Sequence, residues 1–231
     1  MGWFPRSSIV KKMVTGVTGL ALFIFVAVHL FENLLLLSNN PDLYNGWAHF
    51  LFSFGPLLYV IEAILLLFFV VHIGSALFVH AEKRRARPVP YRTVGAAGKP
   101  SRRTVSSQTM IYTGLVLLVF LVWHVLSFRF GPNVAQGYVT QLDGRPERDL
   151  YRLVVDFFSN LWNVVIYVGV MVFLGFHLRH GFWSAFQSLG LYHRRWTPII
   201  YTTGLVVALA LGVGFIFIPI WIYLQQLGAS L

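Results

Sequence analysis

The chain has 231 residues, of which 57% are hydrophobic and only 11% are charged. Soluble domains carry about 25% charged residues, so this composition indicates an integral membrane protein. The absence of cysteine excludes disulfides, thiolate metal sites and thioether-linked cofactors. The net charge of +10 could attract nucleic acid, but no soluble segment is long enough to fold into a nucleic-acid-binding domain. No nucleic-acid partner is therefore expected.

Five stretches of the chain are long and apolar enough to cross about 30 Å of hydrocarbon. Pro56 and Pro198 suit the first turns of the second and fifth stretches, where their missing N–H groups cost nothing. We therefore expect an all-α integral membrane protein in which residues 1–231 form a single bundle of five transmembrane helices. The predicted spans are 13–37, 53–80, 108–130, 161–186 and 198–224.

The polar connections between these spans predict the orientation of the chain. The second connection, AEKRRARPVPYRTVGAAGKPSRR, is basic, whereas the third, GPNVAQGYVTQLDGRPERD, has mixed charge and a turn signal at Asp143–Gly144. Fourteen of the 18 Lys and Arg residues fall on the side of the N-terminus and the basic connection. Basic loops stay in the cytoplasm, so we expect a multi-pass protein of the cell membrane with a cytoplasmic N-terminus and an external C-terminus. The basic face would meet anionic lipid or an acidic partner.

Four histidines lie inside four different predicted spans, where an unsatisfied imidazole costs free energy. His29 and His124 each lie 16 residues into an outward span, so both are about 24 Å from its cytoplasmic end. His72 and His177 each lie about 12–14 Å from the cytoplasmic end of an inward span. A single histidine of this kind is often only an interhelical hydrogen-bonding contact. Four of them in two matched layers indicate two sites, with His180, one turn beyond His177, as the alternative in the fourth span.

The first and third spans also share a short internal repeat. TGLALFIFVAVH, from Thr18 to His29, and TGLVLLVFLVWH, from Thr113 to His124, both have TGL followed by eight residues and a histidine. The glycine in each repeat permits a close approach by another helix or by a macrocycle. Chance similarity between apolar segments is common, so the repeat supports the histidine pattern without establishing it.

Two imidazoles that face each other in a helical bundle suit the axial positions of a haem. With both positions filled there is no site for oxygen, so such a haem carries electrons. The expected pairs are His29 with His124 in an outer haem and His72 with His177 in an inner haem, about 10 Å apart in depth. Structural zinc fits less well, because it requires four ligands at one depth.

Several polar residues near the outer histidines are candidates for binding other groups. Glu32, Asn33 and His49 would place a carboxylate, an amide and an imidazole beside the outer haem, where they could bind a quinone and exchange protons. Alternatively, Glu32 only orients the surroundings of His29, and His49 caps the second span. Arg129 could contact an outer haem propionate or could be a plain interfacial arginine.

The sequence resembles the dihaem cytochrome b membrane subunit of succinate:quinone oxidoreductase and fumarate reductase, the complex II family, in its single-chain, five-helix form. The blocks that carry the resemblance are HLFEN, AHFLFSFGPLLYVIEAILLLFFVVHIGSALF, FLVWHVLSFR and YVGVMVFLGFHLRHGFWSAFQSLGL. In the last block the family ligand lies ten residues after the tyrosine and four before the glycine, which selects His177 over His180. Together the blocks cover nearly the whole chain.

This resemblance implies two b-type haems and a function in electron transfer. A flavoprotein subunit with FAD would oxidise succinate, and an iron–sulfur subunit on the cytoplasmic side would exchange electrons with this chain. The chain would pass those electrons to quinone, usually menaquinone in this type, and would itself contain no catalytic residue for succinate. Some dihaem fumarate reductases have a proton-carrying glutamate two residues before the fourth ligand, but this sequence has Gly175 there.

Two other functions are compatible with the same histidines. The chain could be another bis-histidine cytochrome b, such as the membrane subunit of a hydrogenase or formate dehydrogenase, or an ascorbate-type cytochrome b561. It could also be a haem-free transporter or scaffold in which histidines join helices by hydrogen bonds. A reduced-minus-oxidised spectrum separates the second possibility from the cytochromes.

Overall fold

The computed structural model describes residues 7–86, 105–142 and 144–229. The α-helices of this part are α1 Ser8–Asn33, α2 Pro41–Phe52, α3 Pro56–Arg85, α4 Val105–Phe128, α5 Leu150–Phe158, α6 Leu161–Ser188 and α7 Trp196–Ala229. Two 3₁₀ turns, Leu34–Ser38 and Val134–Gln136, and two strands, β1 Val139–Leu142 and β2 Arg145–Arg148, complete the described elements.

Five of these helices, α1, α3, α4, α6 and α7, are long and apolar enough to cross a membrane. The predicted number of spans is therefore confirmed, although their ends differ by a few residues. The second span does not begin at residue 53, because α2 ends at Phe52 and a turn with Gly55 at φ +53° leads into Pro56. The same helix continues to Arg85, where basic side chains in the last turn interact favourably with the helix dipole.

The spanning helices α1, α3, α4 and α6 form a ring. Helix α1 packs between α3 and α6, and α6 packs between α1 and α4. The ring closes more loosely between α3 and α4, and α7 lies outside it against α6 and α1. Consequently α1 and α4 are opposite each other, and so are α3 and α6.

Small residues allow the close contacts among α1, α6 and α7. A Cβ atom added to Gly16 would lie 3.3 Å from the backbone oxygen of Ala185, and one added to Gly214 would lie 2.7 Å from the side chain of Leu30. Such contacts are typical of membrane helices, which associate through close packing of backbones rather than through the hydrophobic effect. These glycines therefore bring α6 and α7 onto α1.

One end of the ring, here called the basic end, is where α1, α4 and α7 begin and where α3 and α6 end. The buried Lys11 forms an ion pair there with Glu82, which ties the start of α1 to the end of α3. Seven further Lys and Arg residues lie in the described part of this end, namely Lys12, Lys83, Arg84, Arg85, Arg179, Arg194 and Arg195.

The opposite end, here called the capped end, is covered by α2, the β-hairpin and α5. Asn45, only 1% exposed, donates from Nδ2 to Asp149 Oδ1 at 2.9 Å and accepts from the Tyr151 backbone N–H at 2.9 Å. Arg148 donates to the backbone oxygens of three residues that end or follow α4, namely Phe128, Gly131 and Pro132. These contacts hold the connections over the bundle.

The hairpin is the departure from the predicted all-α fold within the described residues. Its strands pair antiparallel, with Leu142 opposite Arg145. Gly144 has φ +73°, as two-residue hairpin turns require, whereas the other half of the predicted turn, Asp143, lies outside the described residues. The β-branched residues Val139 and Thr140 favour the extended conformation that β1 adopts.

Candidate functional site: two histidine pairs

The structure brings together the four predicted histidines as two pairs inside the ring. His29 of α1 faces His124 of α4, with ring centroids 5.8 Å apart and ring planes at 87°. His72 of α3 faces His177 of α6, with centroids 6.4 Å apart and planes at 71°. Each pair spans one diagonal of the ring, so helices that are not neighbours supply its two members.

The pairs lie at different depths. His29 is ten residues after Gly19, the α1 residue that meets His72, which corresponds to about 15 Å of helix. His124 is likewise ten residues after Gly114, which meets His177. The outer pair, His29 and His124, therefore lies nearer the capped end, and the inner pair, His72 and His177, lies nearer the basic end.

The ring separations fit two ligands on opposite sides of one metal. With metal–nitrogen bonds of about 2.0 Å and about 1.1 Å from each ring centre to its nitrogen, such imidazoles have centroids about 6 Å apart. Both observed distances, 5.8 and 6.4 Å, are close to this value. Of the two candidate histidines on α6, His177 is the one whose ring meets His72.

The inner histidines use Nδ1 to contact hydrogen-bonding groups of neighbouring helices. His72 Nδ1 lies 3.2 Å from the backbone oxygen of Thr15 and 3.5 Å from Thr18 Oγ1. His177 Nδ1 lies 3.2 Å from Thr113 Oγ1. With Nδ1 occupied in this way, Nε2 of each ring is available to bind a metal.

The outer histidines have different neighbours. His124 Nδ1 lies 3.1 Å from the hydroxyl of Tyr167 on α6. The His29 ring is next to the Asn33 amide at 3.4 Å, and its Nδ1 is 3.6 Å from Glu32 Oε2. Aromatic rings also pack around this pair, namely those of Phe25, Phe120, Phe128 and Phe215.

The glycines of the TGL repeat lie against the inner histidines rather than the outer ones. A Cβ atom on Gly19 would lie 3.0 Å from His72 Cε1, and one on Gly114 would lie 3.5 Å from His177 Cε1. The repeat therefore places a threonine and a glycine of one helix beside the histidine of the next helix. Sequence reasoning noticed these glycines but missed the threonines beside them.

The structure places Arg129 in an ion pair with Glu62. Its Nε and Nη2 atoms donate to the two carboxylate oxygens of Glu62 at 2.7 and 3.2 Å. The guanidinium also lies about 6 Å from the ring centroids of Phe52 and Tyr59. This pair joins the end of α4 to α3 across the looser side of the ring.

A cavity of about 430 Å³ lies at the capped end, between the end of α1 and α2. Its lining is mainly apolar and includes Glu32, Trp47 and Phe50. The indole Nε1 of Trp47, one of the lining residues, is buried and has no hydrogen-bond partner among the described residues. In the sequence, Trp47 resembles any interfacial tryptophan, so no pattern distinguishes it.

The three predicted quinone-binding residues are not gathered at this cavity. Glu32 lines it, but Asn33 Nδ2 donates to the backbone oxygen of His29 at 2.7 Å. His49 Nδ1 instead lies 3.5 Å from Glu147 Oε1. Burial is the main cause that raises the pKa of Tyr44 above its ordinary value, and the nearby Glu32 carboxylate adds to it. The Tyr44 hydroxyl therefore keeps its proton, and it donates to Asn33 Oδ1 at 3.5 Å.

Comparisons of this chain with protein-family models, with curated proteins and with solved structures found no match. In the described ranges, no three or more His, Asp and Glu side chains form a group that could hold a metal ion.

Proposed function

We propose that this chain is an electron-carrying membrane subunit that holds two b-type haems, one between His29 and His124 and one between His72 and His177. The observation that supports this most directly is the pairing of the four histidines across both diagonals of the ring, at centroid distances that would suit two ligands of one metal. A haem takes two protein ligands, so a pair is sufficient where zinc would need a larger set.

The residues around each pair fit this group. In the inner pair the partners of Nδ1 orient the rings and leave Nε2 for the metal, and Gly19 and Gly114 leave room beside these rings. When bound between two histidines, a haem supplies one-electron transfer without an open position for oxygen. The aromatic side chains around the outer pair would exclude water from it.

We further propose that the chain belongs to a succinate:quinone oxidoreductase, on the basis of its sequence blocks. The basic end would then face the cytoplasm, where it would bind the iron–sulfur subunit that is itself joined to the FAD subunit. Lys83, Arg84 and Arg85 at the end of α3 supply positive charge for such a contact.

The cavity beside Glu32 is the proposed quinone site, and the resemblance of the sequence blocks implies menaquinone as the quinone. Its apolar lining suits a ring and an isoprenoid tail, and Trp47 Nε1 could donate to a quinone carbonyl. Glu32 lies within 3.6 Å of His29, so the same carboxylate is close to the outer pair and could exchange a proton with the ligand.

The first test is a haem count on the purified chain together with an assay of its partners. A pyridine haemochrome measurement should give two haems b per chain, and succinate dehydrogenase activity should copurify. One haem or none would contradict the dihaem proposal. Two haems with copurifying hydrogenase or formate dehydrogenase activity would support the dihaem proposal but contradict the proposed succinate:quinone oxidoreductase.

The second test concerns the quinone site. Glu32→Gln and Trp47→Phe should retain both haems but slow quinone-coupled succinate oxidation by about 10-fold or more. The first variant removes the carboxylate that would exchange a proton, and the second removes the indole N–H that would donate to the quinone. His49→Ala is the matched variant, since His49 contacts Glu147 and does not line the cavity. If only His49→Ala slows the reaction, the quinone site lies elsewhere at the capped end.

A further inference from the structure

The two threonine–glycine pairs of the TGL repeat occupy equivalent places in the two halves of the ring. We propose that Thr18, Gly19 and Thr113 are positioning residues that hold the inner histidines in place as Nδ1–H tautomers and thereby set the redox potential of the inner centre. This inference rests on the proposed function and extends it to residues that do not touch the metal.

The hydrogen bonds on the α4 side determine which atom donates. Thr113 Oγ1 donates to the backbone oxygen of Met110 at 3.1 Å, which uses its single proton. The contact of 3.2 Å between Thr113 Oγ1 and His177 Nδ1 therefore has the hydroxyl oxygen as acceptor. With this donor direction, His177 carries its proton on Nδ1 and its Nε2 keeps a free lone pair.

The same reasoning applies on the α1 side. Thr18 Oγ1 donates to the backbone oxygen of Val14 at 2.7 Å, so it too can only accept from His72. The nearer acceptor of His72 Nδ1 is the backbone oxygen of Thr15 at 3.2 Å. A carbonyl never donates, so His72 is also protonated on Nδ1. His72 thus has two acceptors, whereas His177 has one threonine hydroxyl.

The glycines determine how near the rings can come. The Cβ of an alanine at position 19 would lie 3.0 Å from His72 Cε1, which is closer than ordinary van der Waals contact. At position 114 the corresponding distance to His177 Cε1 is 3.5 Å, which is an ordinary contact. The two positions are therefore equivalent in the fold, but only position 114 has room for the methyl group of an alanine.

An acceptor on Nδ1–H makes Nε2 a stronger electron donor to a metal and so favours the oxidised metal. Removing that acceptor should make the inner potential more positive. The effect should be larger at Thr113, because the Thr15 carbonyl still accepts from His72 when Thr18 is changed. Loss of such a hydrogen-bond partner lowers metal affinity by about 10–100-fold, so weaker binding of the inner haem is also expected.

The experiment is a redox titration of haem absorbance in the purified complex. Thr113→Val should shift the inner component to a more positive potential and leave the outer one unchanged, whereas Thr113→Ser should match the wild type. Thr18→Val should give a smaller shift, and Thr203→Val, an exposed position on α7, should give none. Loss of the inner haem in Thr113→Val but not in Thr113→Ser also supports the proposal.

Wild-type potentials in Thr113→Val, or equal shifts in Thr113→Val and Thr113→Ser, would overturn it. Should the valine variant not accumulate, the glycines give an independent result: Gly19→Ala should alter the inner component and Gly114→Ala should not. Equal behaviour of the two alanine variants would contradict the positioning role. A wild-type chain without haem would overturn the proposed function itself, which is a separate outcome.

Discussion

Each of the four paired histidines is a polar group inside an apolar bundle, and its neighbours reduce the cost of that position. The Nδ1 atom of His124 contacts the hydroxyl of Tyr167, and that of His177 contacts the hydroxyl of Thr113. The Nδ1 atom of His72 contacts a backbone carbonyl of α1. In these three cases the neighbour belongs to a different helix from the histidine. The orientation of each imidazole is therefore a property of the assembled ring and not of its own helix.

We predict that alanine at His29 or His124 removes the same spectral component, because the two rings form one site. Alanine at His72 or His177 should remove the other component. Low-temperature difference spectra with a haem count measure this directly. His180→Ala is the control and should retain both components, since its ring does not form the inner pair. Loss of one shared component in His29→Ala and His72→Ala would show that the pairing is different.

At the scale of elements, α1 and α3 are joined by a series of polar contacts along one face. On α1 the residues are Lys11, Thr15 and Thr18, at the spacing that places side chains on one side of a helix. Thr15 Oγ1 donates to Ser75 Oγ at 2.7 Å, and Ser75, which is fully buried, donates to the backbone oxygen of His72. These contacts fix the rotation of α1 against α3 and so direct His72 into the ring.

We predict that Thr15 and Ser75 are energetically coupled. In a double-mutant cycle with Thr15→Val and Ser75→Ala, the coupling should be about 0.6 kcal/mol, the average for hydrogen bonds between membrane helices. Reversible unfolding in mixed detergent provides the free energies. A cycle that pairs Thr15→Val with the exposed Thr203→Val should show no coupling. Strict additivity of the Thr15 and Ser75 variants would mean that their hydrogen bond contributes nothing.

At the scale of the whole molecule, the two ends of the bundle differ in charge and in structure. The basic end carries Lys and Arg at the helix ends, whereas the capped end is covered by α2, the hairpin and α5. The arrangement of helices fixes which residues lie at the same end, and the charge difference predicts which end faces the cytoplasm.

The absence of native cysteine allows a direct test of this orientation. We predict that Ser53→Cys, exposed at the capped end, reacts with a membrane-impermeant maleimide in intact cells. His193→Cys, exposed at the basic end, should react only after the cells are permeabilised. Labelling in the reverse order would show that the basic end is external. The unmodified chain provides the background in both conditions.

The features that could be predicted from the sequence are those set by composition and helical rise. Apolar length gave the five spans, and counting residues from the span ends placed the histidines in two layers. The capped end could not be predicted, because α2 and α5 are short and are held by contacts such as Asn45 to Asp149, over a hundred residues apart. The partners of Arg129 and His124 depend on which faces neighbouring helices present, and periodicity alone does not give that.

The diagonal arrangement of the pairs has a consequence for biogenesis. Chains are synthesised from the N-terminus, so α1 and α3 leave the ribosome before α4 and α6. Both histidines of the outer pair are present once α4 is in the bilayer. The inner pair is incomplete until α6, which carries His177, has also been inserted. A nascent chain halted between α4 and α6 would thus present a finished outer pair and half of an inner one, which gives the two sites a fixed order of maturation.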